Sequence, residues 1–108
     1  LNGKTSASFL AHKAEFLYRF GNFEMAIQTA EQALELDEQL GSMAMLIGLS
    51  SCQLQDWQRA EIAFIRARRV KDTQQQAKAY LASLQALRRI KAEKHRNPQE
   101  IASREFGG

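Results

Sequence analysis

"GNFEMAIQTAEQALELDEQ" (residues 21–39) reads as an alanine-rich amphipathic helix, and "QDWQRAEIAFIRARRVKDT" (residues 55–73) repeats its arrangement in different letters. In register, Gly21, Asn22, Phe23, Ala26, Ile27, Ala30, Ala33 and Leu36 align with Gln55, Asp56, Trp57, Ala60, Glu61, Phe64, Ala67 and Val70. Each pair is 34 residues apart. Self-similarity at such a period marks stacked units, each too thin to bury its own apolar face, so the core forms between neighbours.

Proline and glycine punctuate the rest of the chain. The single proline is Pro98, and residues 7–20, 23–37, 42–54, 57–71 and 74–96 carry neither breaker apart from Gly48. Five helices follow. The first, "ASFLAHKAEFLYRF", sets Phe9, Leu10, Phe16, Leu17 and Phe20 on one broad face, the pattern of a helix with one buried side. Gly21 suits the left-handed end of a helix and Asn22 the cap of the next, and in the second copy Gln55 and Asp56 take those places. Thr73 with Gln76 matches a capping box, so the last helix is predicted to begin near Gln74. Asn97, Pro98 and Glu100 read as a stop and a fresh start, which makes "IASREFGG" a short turn or a tail.

Small residues predict where helices cross. A side chain larger than alanine holds two backbones apart, so Ala14, Ala26 and Ala33 are expected at the closest contacts of the first pair. Phe9, Leu10, Leu17 and Phe23 are expected to fill around them. Gly48, Ala60 and Ala67 take the equivalent places in the second pair, beside Leu46, Ile47, Trp57 and Phe64.

On these residues, 7–40 and 41–74 resemble two tetratricopeptide repeats. The family places a small residue within the first helix, an aromatic at the start of the second, and alanines three and ten positions later. Ala14, Phe23, Ala26 and Ala33 meet that pattern, then Gly48, Trp57, Ala60 and Ala67. Departures are Glu38 in place of a proline, Leu10 and Ala44 in place of tryptophan, and Ser51 in place of an aromatic. The resemblance implies an all-α fold of antiparallel helix-turn-helix repeats, stacked as a short right-handed α-solenoid. Residues 1–6 would form a tail, 75–96 a solvating helix that closes the stack or opens a third repeat, and 97–108 a tail or short helix.

The resemblance also implies a protein-protein interaction module without catalysis, holding a peptide or partner helix in a concave groove. Its groove positions fall on Ala11, Glu15 and Tyr18, then on Met45, Leu49 and Cys52. Relatives that grip a chaperone's carboxylate use Lys and Asn where Ala11, Glu15, Met45 and Leu49 stand, so apolar anchors suit this groove better. Met45 and Leu49 have an alternative role, packing against the closing helix.

Composition limits the other readings. A chain of 108 residues with 44% apolar residues supports one small core. Neither a membrane span nor an export signal is read from it. Its opening on Leu1 fits an excised or processed piece. The lone Cys52 cannot pair internally and fits a reducing, cytoplasmic setting. His12 and His95 lie outside any metal motif, and no phosphate-cradling glycine loop is present, so no metal or cofactor is expected. Glu31, Glu35, Asp37 and Glu38 read as a solvated acidic run. Net charge is +3. Arg66, Arg69, Arg88, Arg89, Lys91 and Lys94 form a basic run near two helix C-termini, where they complement the dipole or meet an anionic partner. Aromatics are not interleaved with that run, which disfavours nucleic acid. Self-assembly through Leu84, Leu87 and Ile90 is the further alternative.

Overall fold

The computed structural model describes residues 6–94, and these form a stack of helices. In chain order they are α1 (Ala7–Arg19), α2 (Phe23–Leu36), α3 (Gly41–Gln53), α4 (Trp57–Arg68) and α5 (Gln74–Lys94), with a 3₁₀ turn at Lys71–Thr73 before the last. Each packs chiefly on its neighbours in sequence, α1 on α2, α2 on α3, α3 on α4 and α4 on α5. The fold is an all-α solenoid of antiparallel hairpins. The stop and restart at Asn97–Glu100 lies outside the described residues.

Turn chemistry explains why the hairpins form where they do. After α1, Gly21 takes a left-handed φ of 80°, its N–H donates to the Tyr18 carbonyl at 3.0 Å, and the Asn22 N–H donates to Leu17 at 2.9 Å. That pair of bonds is a Schellman close, which satisfies carbonyls left over at a helix end. The second copy builds the same close: Gln55 N–H donates to Cys52 at 3.0 Å and Asp56 N–H to Ser51 at 2.9 Å. Gln55 adopts φ 59° to do so, a conformation costly for any residue with a Cβ.

Caps are shared less evenly. Ser6 accepts from the Phe9 N–H at 3.0 Å and Asp56 from the Arg59 N–H at 3.3 Å. Asn22 makes no side-chain cap, contrary to expectation, and contributes its backbone carbonyl to Ala26 instead. Thr73 also departs from the capping-box expectation. It is buried, and its hydroxyl donates back to the Ala67 carbonyl at 2.8 Å, so it closes α4 rather than opening α5. Its methyl and hydroxyl lie where a Cβ on Gly41 would stand, which lets α3 begin hard against the turn.

Ala14, Ala26, Ala33, Ala60 and Ala67 are fully buried at the crossings. Gly48 lies against the Phe64 ring, and a Cβ there would overlap it. Volume is therefore distributed differently in the two copies: Ala14 and Ala30 occupy the places that Gly48 and Phe64 fill one repeat later. Between the second helices of the two hairpins, Arg59 pairs with Glu24 at 3.1 Å and Arg66 with Glu31 at 3.4 Å.

One sequence expectation for α1 fails. Leu10 is buried and Leu17 half-buried, but Phe9, Phe16 and Phe20 are 60%, 60% and 74% exposed. The apolar residues of α1 span two adjoining faces, and only the Leu10–Ala14 side meets the core.

Candidate functional site

Two helices of like position, α1 and α3, carry the predicted groove residues. Glu15 is exposed, whereas Ala11, Tyr18, Leu49 and Cys52 are half-buried and packed against the core edge. Tyr18 is held edge-on to Phe23 with ring centroids 5.6 Å apart. Met45 departs from this set. It is 4% exposed and belongs to the core, because α3 is covered on several sides and buries Met43, Ala44, Met45, Leu46 and Ile47 in succession. Met45 is therefore interior, and of the two only Leu49 keeps an accessible edge.

Extending from Cys52, the structure forms an apolar groove of about 280 Å³ lined by Cys52, Trp57, Phe64, Tyr80, Ser83, Leu84 and Leu87. Three elements build it. The C-terminal end of α3 gives Cys52, α4 gives Trp57 from its first turn and Phe64 from two turns further on, and the middle of α5 gives Tyr80, Ser83, Leu84 and Leu87. Phe64 and Tyr80 stack at 5.4 Å with ring planes 15° apart, and the Lys91 ammonium lies 4.8 Å from the centre of the Trp57 ring. These contacts fix the orientation of both aromatic walls.

Sequence reasoning placed only Cys52 in this groove. The missing signal was the period itself: 34 residues beyond Leu49 stands Ser83, on the wall that α5 supplies. A second trough, about 500 Å³, lies among Glu24, Ile27, Gln28, Glu31, Gln32, Glu35 and Arg59. Its walls are mixed, with Ile27 and the apolar stems of the polar side chains beside the charged groups, and two of its acids already pair with arginines of α4.

Burial pushes the Cys52 thiol above its ordinary range, so thiolate is disfavoured where a nucleophile would need it. Among the described residues no cluster of three metal-ligating side chains occurs, and no helix is long and apolar enough to cross a membrane. His12 bonds to the Ser8 carbonyl of its own helix at 2.8 Å, and His95 lies outside the described residues.

The basic run is partly engaged within the fold. Arg66 holds Glu31, Arg88 holds Glu61 at 3.2 Å, and Lys91 covers Trp57, while Arg69, just after α4, and Arg89 and Lys94 on α5 are exposed. Of the residues expected to drive self-assembly, Leu84 is buried against the stack, so it is not available to a second copy. Leu87 and Ile90 remain exposed. No protein-family model matches the chain, and neither does any curated protein.

Proposed function

We propose that this chain is a tetratricopeptide-like interaction module, without catalysis, that takes an apolar peptide segment or partner helix along the faces of α1, α3 and α5. The observation that carries the reading is the groove beside Cys52, whose lining is almost wholly apolar and whose two aromatic walls are held by stacking and cation–π contacts. Small, preformed apolar clefts with rigid aromatic walls bind by burying side chains, and ordering costs are low because the walls are already fixed.

Glu15 at one end and Lys91 at the other give the surface opposite signs, which favours one direction of a bound segment. Peptides selected from a random library against the full chain provide the probe. Selected peptides should carry apolar anchors and lose affinity at least tenfold against Leu87→Glu, and less against Tyr18→Ala. Equal binding to both folded variants and the parent chain excludes the groove. Cys52 supplies an independent readout: a bound peptide should slow its alkylation, since the thiol forms part of the lining.

A further inference from the structure

The 34-residue period allows one helix face to be followed through the whole stack. On α5 the buried residues are Ala77, Leu81 and Leu84, which dock it on α4. One repeat earlier the same positions on α3 are Met43, Ile47 and Ser50, all buried, on the side turned away from the Gly48 contact with α4 and left for α2. One repeat earlier again they are Phe9, Lys13 and Phe16 on α1, and all three are exposed. Phe20 extends the stripe by one turn, its ring centroid 4.5 Å from that of Phe16. The face that joins each unit to the one before it is thus apolar and aromatic on α1, and no other element among the described residues covers it.

We propose that the Phe9–Phe16–Phe20 face of α1 is a second docking surface, and that its occupant is an acidic amphipathic helix of a partner protein. Continuity with the internal interfaces sets the form of the occupant, because α2 and α4 are the elements that cover this face on α3 and α5. Charge sets its sign. Lys13 stands within the stripe and Arg19 flanks one edge, so acidic residues on the incoming helix are matched.

A second copy of this chain fits poorly. About a two-fold axis Lys13 would face its own counterpart, and like charges placed together are unfavourable. Area leads to the same conclusion. The three exposed rings offer about 400 Å², taking roughly 150–250 Å² for each whole ring, against about 800 Å² per partner in a stable interface. That is enough for one short helix and small for a dimer.

The chain contains a ready probe, since α2 carries Glu24, Glu31 and Glu35 together with the apolar series Ile27, Ala30 and Leu34. A labelled synthetic peptide of residues 22–39 is titrated with the full chain and followed by fluorescence anisotropy. Saturable binding is expected, weakened at least tenfold by Phe16→Glu or Phe20→Glu and severalfold by Lys13→Glu, with the Lys13 effect fading in high salt. These side chains are exposed, so circular dichroism and melting temperature should match the parent and separate lost binding from lost folding. Leu87→Glu, in the other groove, should leave the titration unchanged, which keeps failure here distinct from failure of the function proposed above. Absence of saturable binding, or binding indifferent to Phe16→Glu because the peptide displaces the chain's own α2, overturns the proposal. So does a concentration-dependent dimer that Phe16→Glu abolishes.

Discussion

The two hairpins solve one packing problem with opposite distributions of volume. In the first, Ala14 and Ala30 divide the space evenly, whereas in the second a fully buried Phe64 is accommodated only because Gly48 has no side chain. Their turns differ in the same sense: the first has a glycine at its left-handed position and the second a glutamine. What the difference teaches is that equivalent places in two repeats can hold unequal volumes while the backbone geometry of the crossing and of the turn is kept. The second hairpin concentrates its stability in one ring and carries a local strain that the first avoids.

Removing the ring is the severest way to break that comparison. Phe64→Ala should destabilise by about 3–5 kcal/mol in urea titration, because both transfer energy and a cavity are lost. Ala30→Gly at the matching site should cost about 1 kcal/mol, mainly in helix propensity. Next comes Gly48→Ala, expected to cost about 1–3 kcal/mol by overpacking in the parent chain. In a Phe64→Leu background much of that penalty should vanish, and the difference is measurable in a double-mutant cycle. Additive costs would show that glycine and ring are not a matched pair.

The turns give smaller and opposite effects. Gly21→Ala should destabilise by about 1 kcal/mol, while Gln55→Gly should be neutral to stabilising by up to about 1 kcal/mol, since it relieves a positive φ at some cost in unfolded-chain entropy. Smallest of all is Ser50→Ala. Its hydroxyl is buried with no hydrogen-bond partner among the described residues, so removal should raise the melting temperature slightly or leave it unchanged. A clear loss would reveal a partner for that hydroxyl, such as a buried water.

Helix existence was legible in the sequence because breakers and turn residues act locally. Gly21, Gln55, Asp56 and Gln74 mark boundaries that the structure keeps. The tight crossings were legible for a related reason, since only small residues fit them and the period brings Ala26 and Ala60 to equivalent places. What failed was the choice between adjacent faces. Phe9 and Leu10 are both apolar, and periodicity shows that residues share a side without showing which side another helix will cover. Met45 went wrong through the opposite circumstance, an α3 covered on several sides, where a position facing a groove elsewhere becomes interior. Thr73 shows a competition in which a buried hydroxyl donates to the Ala67 carbonyl at the end of α4 instead of capping α5. In the candidate site, Cys52 was legible from its place on α3, but the walls from α4 and α5 required a tertiary junction that spacing within one repeat does not encode.

The pairing of each helix with its immediate successor bears on how the chain comes to be folded. Contacts between near neighbours close short loops, which lowers the entropic barrier and favours fast acquisition of structure. During synthesis α1 and α2 can associate once both have left the ribosome, and α3 gains its second wall only when Phe64 arrives opposite Gly48. Until then the interval between them is the time in which the nascent segment most needs protection from aggregation.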